Sequence, residues 1–258
     1  MELHGRTVLL TGAAGGVGAA TARELAAAGC QLVLVDIDEE GLEAIGREIG
    51  DRAVAVPTDV TDLPQLEAAV AAGRSRFGSV SVVIANAAID AIEAIGDIDP
   101  PAFDRVVDVN LGGAFRTVRA ALADVAQQRG HVLFVNSLGS IMPALYQAAY
   151  ASSKAGISAL ADSLRIELRS TGATVGQMYL GAVDTEHFRV GMAHPLMQRA
   201  NRRIPASMMR PAPPADAAAA IRTAIARRSR TATFPRSNAA LLWAPQVIKP
   251  LIERRIST

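Results

Sequence analysis

With 258 residues, half of them hydrophobic and a fifth charged, the chain carries enough apolar mass for a large core, and its length suits one α/β domain. A formal net charge of +1 gives the chain as a whole no bias toward a polyanionic partner, and Cys30, the only cysteine, excludes a disulfide framework and a thiolate metal cluster. The opening MELHGR does not read as a signal peptide and no apolar run approaches ~18 residues, so a soluble, cytoplasmic protein of a reducing compartment is expected.

Apolar, β-rich runs alternate with Ala-rich helical patterns from the first residues onward. TVLLTG (7–12) precedes a helix over 17–29, QLVLVD (31–36) one over 39–49, and AVAV (53–56) one over 62–76. SVVIA (81–85) precedes a long helix over 101–128, HVLFVNS (131–137) one over 150–170, and TVGQMYL (174–180) is a sixth strand. All six read as strands buried on both faces. Such alternation implies right-handed crossovers and a parallel sheet covered on both sides. The expectation is a single doubly wound Rossmann-type domain over 1–258 with about seven strands. Its rhythm breaks over 186–214, rich in Met, Arg and Pro, which reads as a substrate lid, and again over 236–258, a basic and apolar extension broken by Pro245 and Pro250.

Glycines 12, 16 and 18 lie between the first strand and the first helix. Gly12 allows the tight turn, Gly16 lets backbone approach a pyrophosphate, and Gly18 lets helix and strand pack closely. The first-turn N–H groups of the helix then face the phosphates. Asp36, eighteen residues past Gly18, ends the second strand where a carboxylate can accept both adenosine-ribose hydroxyls. A 2′-phosphate there would meet like charge, and the adjacent Gly15 and Ile37 supply no cation to hold it, so NAD rather than NADP is expected.

In QAAYASSKAG (147–156), Tyr150 and Lys154 are one helical turn apart and share a face. A free phenol titrates near pH ~10. A lysine cation beside it favours the phenolate and is expected to draw that value toward neutrality, making the tyrosine a usable acid and base.

With the glycine loop and the Tyr–Lys pair on one chain, the sequence resembles the short-chain dehydrogenase/reductase family up to about residue 235. TGAAGGVG (11–18) matches the family's loop, with Val17 inside it, and Ser137 stands thirteen residues before Tyr150, as its catalytic serine does. Asn110 in VVDVNLGGAF matches the helix asparagine, and Asp59 and Val60 match the Asp-Val adenine contact. Asn86 falls in the loop after the fourth strand, where Ala87-Ala88 replaces the usual Ala-Gly; that exchange requires a negative φ at Ala88. Leu180-Gly181 replaces Pro-Gly after the sixth strand, with Val183 and Thr185 in the nicotinamide-binding stretch. Tyr146 and Ser140 are nearby hydroxyls at the wrong spacing and read as lining or packing residues.

The resemblance implies an NAD(H)-dependent oxidoreductase interconverting an alcohol and a carbonyl. It assigns Tyr150 as acid and base, Lys154 as the cation beside it and the holder of the nicotinamide ribose, Ser137 as the substrate-oxygen ligand, and Asn110 as the holder of a water leading from Lys154 to solvent. It also implies a homodimer or homotetramer built on helices 101–128 and 150–170. No metal is expected, since His4, His131, His187 and His194 lack ligand spacing and read as surface or loop residues. No cluster of basic and aromatic residues suggests nucleic acid.

The lid carries Phe188, Met192 and Met197, with Leu196, Met208 and Met209. Thioethers mould to apolar ligands, so a hydrophobic alcohol or ketone, such as a steroid, retinoid or long aliphatic carbonyl, is expected. Eight Arg and Lys between Arg222 and Arg255 face one acid, Glu253, and Val247, Ile248, Leu251 and Ile252 share one helical face. Such an end packs on its own body or a neighbour, or lies on an anionic membrane. Alternatives to the main reading are a 3-oxoacyl reductase, which Asp36 disfavours, and a non-catalytic NAD(H)-binding sensor, which the intact Ser137, Tyr150 and Lys154 disfavour.

Overall fold

The computed structural model of the chain describes residues 1–142, 145–201, 210–243 and 249–250. In chain order its elements are β1 (Thr7–Thr11), α1 (Gly16–Ala27), β2 (Gln31–Asp36), α2 (Glu39–Ile49), β3 (Ala53–Pro57), α3 (Leu63–Phe77) and β4 (Val82–Ala85). There follow α4 (Pro100–Val107), α5 (Gly113–Gln127), β5 (His131–Ser137), α6 (Ala148–Glu167) and β6 (Thr174–Leu180). The last are α7 (Glu186–Ala193), α8 (Pro195–Asn201), α9 (Pro214–Ala226), β7 (Thr231–Phe234) and α10 (Ala239–Trp243).

The seven strands form one parallel sheet in the order β3-β2-β1-β4-β5-β6-β7. Inner strands such as β1 and β4 are buried at every residue, because helices cover both faces and leave no solvent side for polar alternation. Leu25, Leu42, Ile45, Ile221 and Ile225 of α1, α2 and α9 build the core on one face. Leu66, Val70, Val118, Val125, Ile157 and Leu164 of α3, α5 and α6 build it on the other. A bidentate Arg74–Asp124 pair at 2.8 Å ties α3 to α5, and Asp124 also accepts the Val80 N–H at 3.0 Å. Strand order reverses at β1, flanked by β2 and β4, and the loops leaving β1 and β4 part there to open a crevice at the carboxyl ends of the strands.

Several sequence expectations change. AVAV is the edge strand β3, half-buried rather than covered on both faces. The long helix over 101–128 is interrupted by a π turn over Asp108–Gly112, between α4 and α5, which shifts the helix phase at Asn110. β7 and α9 were not named from the sequence; β7 is short and half-exposed, so it lacks the apolar run of an inner strand. The 186–214 segment contains α7 and α8, while 202–209, with Met208 and Met209, lies outside the described residues. His131 is not a surface residue: it opens β5 at 0% exposure. Of the C-terminal basic residues, Arg222 pairs with Glu24 at 2.6 Å, and Arg228 donates to the carbonyls of Arg129, Gly130 and Gly172. Val247, Ile248, Leu251 and Ile252 of the apolar stripe, with Arg254 and Arg255, lie outside the described residues. Among the described residues no helix is long and apolar enough to cross a membrane.

Candidate active site

A cleft of about 990 Å³ runs across the carboxyl ends of the strands. Every residue expected at the cofactor lines it: Gly12, Gly16, Val17, Gly18, Asp36, Asp59, Val60, Asn86, Lys154, Gly181, Val183 and Thr185. So do Ser137, Tyr150, Phe188, Met192 and Met197. Asn110 lies behind the wall.

At the glycine loop, Gly12 and Gly16 have φ of +67° and +55°, the left-handed region that favours glycine. A Cβ on Gly18 would stand 1.8 Å from the Gly12 carbonyl oxygen, so the close helix–strand approach admits no side chain there. Gly15 caps α1 without a side-chain acceptor, leaving the first-turn N–H groups for an anion. Across the crevice, Asn86 Nδ2 donates to the carbonyls of Thr11 (2.9 Å) and Gly12 (3.1 Å), while the N–H groups of Asn86 and Ala87 donate to Thr11 Oγ1. Thr11 is thus a clamp between the β1 and β4 loops that motif spacing did not single out. Ala88 is not among the positive-φ residues, as the Ala-for-Gly exchange required.

Asp36 accepts the N–H groups of Ala14 (2.9 Å) and Asp38 (3.1 Å), which hold its carboxylate at the mouth of the glycine loop. Ile37 beside it is 67% exposed. Asp59 accepts the N–H and hydroxyl of Thr61, and these bonds hold its carboxyl below the ordinary range. Arg105, missed by the sequence reading, lines the same end 3.7 Å from Asp59. This set fits a dinucleotide: a side-chain-free cradle at a helix N-terminus, with carboxylates where ribose and adenine would lie. Thr185 caps α7 by accepting the Phe188 N–H at 3.1 Å, and its methyl lies 3.2 Å from where a Gly16 Cβ would stand. Gly181 donates its N–H to the Phe234 carbonyl at 2.7 Å, and Val183 bridges to Ala212, joining the two ends of the stretch that carries α7 and α8.

Ser137 ends β5, and Tyr150 and Lys154 lie in the first two turns of α6, so the sheet edge and the helix present all three on one wall. The Ser137 hydroxyl hydrogen-bonds the Tyr150 phenol and accepts the Gly139 N–H at 3.1 Å. Behind it, Asn136 Oδ1 accepts the Ser137 N–H, while Asn136 Nδ2 donates to Ser158 and Gln177. Lys154 is 3% exposed; its Nζ donates to the Val135 carbonyl at 3.0 Å and lies 5.7 Å from the Tyr150 ring centroid.

The expected fall in the phenol pKa is not what this arrangement gives. Burial pushes Tyr150 up to about 12, against the opposing hydrogen bond from Ser137 and with the Asp90 charge adding to the rise. Burial likewise pushes Lys154 down to about 8. The ammonium is bonded to a backbone carbonyl rather than to the phenol oxygen, and desolvation dominates both groups.

Asn110 is fully buried, with its amide committed: Nδ2 donates to the Ile89 carbonyl (2.9 Å) and Ser153 Oγ (3.0 Å), and Oδ1 accepts the Ile89 N–H (2.8 Å). Its side chain therefore locks the β4 loop to α6. Among the described residues no group of three His, Cys, Asp or Glu could hold a metal.

A parallel Rossmann sheet with a glycine cradle and a Ser–Tyr–Lys wall defines a nucleotide-dependent oxidoreductase. The family model described as short chain dehydrogenase matches residues 6–193, and the chain belongs to that family. It is 34% identical to the galactitol 2-dehydrogenase of Agrobacterium fabrum, over 75% of this chain and 77% of that one. It is 32% identical to the sorbitol dehydrogenase of Cereibacter sphaeroides, over 73% and 74%. Among solved structures, it superposes on the 3-ketoacyl-(acyl-carrier-protein) reductase of Brucella melitensis complexed with NADH, with a TM-score of 0.81, 28% identity and coverage of 90% and 97%.

Proposed function

We propose that the protein is an NAD(H)-dependent oxidoreductase that interconverts a secondary alcohol and a ketone, or an alcohol and an aldehyde. The observation that carries this reading is the convergence of Ser137, Tyr150 and Lys154 on the cleft that also holds the glycine cradle. The similar Brucella reductase is complexed with NADH, and Asp36, held at the mouth of the glycine loop with Gly15 and Ile37 as the adjacent residues, favours NAD over NADP here.

A nicotinamide cofactor held by these residues would supply the hydride acceptor or donor and, when oxidised, a positive charge. Tyr150 removes the hydroxyl proton in oxidation and returns it in reduction. Ser137 holds the substrate oxygen and stabilises the phenolate through its hydrogen bond. Lys154 supplies a cation 5.7 Å from the Tyr150 ring centroid and stands ready to hold ribose hydroxyls. Since the Asn110 amide is spent on Ile89 and Ser153, holding a water falls to its main chain in the π turn.

Ile92, Leu138, Met142, Leu145 and Val190 join the lid residues Phe188, Met192 and Met197 around the substrate half, which supports an apolar substrate body such as a steroid, retinoid or aliphatic carbonyl. The names of the two polyol dehydrogenases favour a second reading, a hydroxylated substrate, and the Brucella neighbour favours a third, a 3-oxoacyl thioester. Exposed Phe115 and Ile166 on α5 and α6 support a homodimer or homotetramer joined through those helices.

The test is NADH formation from NAD and a panel of alcohols. Tyr150→Phe should lose at least ~10²-fold in turnover while binding NADH as the parent does. Retention of most activity would refute the assignment.

A further inference from the structure

One carboxylate in the substrate half of the cleft has no part in the chemistry above. Asp90 lines the cleft, is half-buried, and makes no ion pair with Lys or Arg among the described residues. Its Oδ1 accepts the Ala91 N–H at 2.8 Å, and its Oδ2 accepts Gln147 Nε2. A carboxylate offers about four lone-pair positions, so two bonds leave capacity for further donors. Burial raises the Asp90 pKa, as expected for a charge taken from water without a cation.

Backbone fixes the pair in place. The Glu93 N–H donates to the Tyr146 carbonyl at 2.9 Å, and Glu93 and Gln147 form a parallel bridge. This zips the loop after β4 to the entry of α6, across 57 residues of sequence between Asp90 and Gln147. Tyr146 adopts a φ of +64° immediately before Gln147. Gln147 also lines the cleft and stands three residues ahead of Tyr150, and the Asp90 charge is felt at the Tyr150 phenol. His187, at the start of α7, lines the cleft close enough for its charge to act on Asp90.

These neighbours choose the donor. A second cation would share the cleft with the Lys154 ammonium and meet its repulsion. A hydroxyl donates to Asp90 without adding charge, and Gln147 Oε1 or the His187 ring can complete its bonding. We infer that Asp90 and Gln147 form a second hydroxyl subsite beside the reacting carbinol, bounded by His187 of α7, and that the preferred substrate is a diol or polyol rather than a simple alcohol. This rests on the dehydrogenase reading for its chemistry and gives Asp90 and Gln147 a role in a half-cleft that Ile92, Leu138, Met142 and Phe188 also line.

The experiment compares kcat/KM for cyclohexanol and vicinal cyclohexanediol in the parent, Asp90→Asn and Gln147→Met proteins, with NAD as oxidant. In parallel, the NADH-loaded proteins are titrated with the diol by calorimetry. The parent should prefer the diol by about tenfold or more, because a site built for a hydroxyl is left with unpaired groups by the analogue lacking it. Both variants should bring the ratio close to one, and Asp90→Asn should weaken diol binding by about fivefold. Turnover without preference, or preference retained in both variants, overturns the subsite while leaving the dehydrogenase reading intact. No turnover of either alcohol, with diol binding that Asp90→Asn weakens, supports the subsite and defeats the reading beneath it. A diol neither oxidised nor bound overturns the subsite.

Discussion

Asn110 donates from Nδ2 to Ser153 Oγ at 3.0 Å, and Ser153 Oγ donates in turn to the Tyr150 carbonyl at 2.7 Å. Two residues 43 apart in sequence thereby fix the π turn against the helical turn that carries Tyr150 and Lys154. The same amide pairs both backbone groups of Ile89, so one buried side chain registers the β4 loop, the π turn and α6.

Asn110→Ala should therefore cost about 2–4 kcal/mol, since it strands buried partners rather than removing one exposed bond. Ser153→Ala should cost about 1 kcal/mol, as the Ile89 bonds survive. Urea midpoints for the two variants give the comparison, and equal losses would show that Ile89 does not depend on Asn110.

Cofactor choice should follow Asp36 and its neighbour. The parent is expected to bind NADH about 100-fold more tightly than NADPH, because a 2′-phosphate beside the carboxylate meets like charge. Asp36→Ala combined with Ile37→Arg, at a side chain already 67% exposed, should bring the two affinities within about tenfold. Fluorescence titration decides this, and equal affinities in the parent would overturn the role of Asp36.

His131 sets an acid limit on stability. Burial, with Arg228 and the chain N-terminus adding like charge, pushes its pKa from 6.5 down to about 4, so the folded protein holds it neutral. Between those values the unfolded chain binds the proton more strongly. Stability is thus fully present above about pH 6.5 and falls as the pH drops toward 4, by about 3 kcal/mol in all. Urea midpoints across that window should decline in the parent and decline less in His131→Gln. Parallel curves would remove His131 as the cause.

Phe115 and Ile166 stand exposed on the outer faces of α5 and α6. If those faces join subunits, Phe115→Glu or Ile166→Glu should shift the sedimenting species to smaller mass at micromolar concentration. An unchanged species in both variants would move the interface elsewhere.

Much of the architecture was legible because its signals are local. The Val, Leu and Ile runs of β1, β2, β4 and β5 identify buried strands by composition alone, and Gly12, Gly16 and Gly18 mark a turn that admits little else. Tyr150 and Lys154 are legible by a spacing that helical geometry turns into proximity. β7 was harder to see, since TATF at an edge has neither a covered second face nor a long apolar run. The π turn at Asn110 was invisible because its residues keep an ordinary helical pattern around one shifted phase.

The amino-acid sequence by itself determined the alternating α/β rhythm, the glycine turn, the carboxylate ending β2 and the spacing of Ser137, Tyr150 and Lys154, all read from short stretches or fixed separations along the chain. Only the tertiary structure decided which distant residues meet. Strand order places Asn86 on Thr11 across 75 positions and Asp90 on Gln147 across 57. It also takes His131 out of water and sets burial above charge in governing Tyr150 and Lys154. Periodicity records which face a residue presents. What that face meets depends on chain crossings, and desolvation depends on everything packed around a group at once.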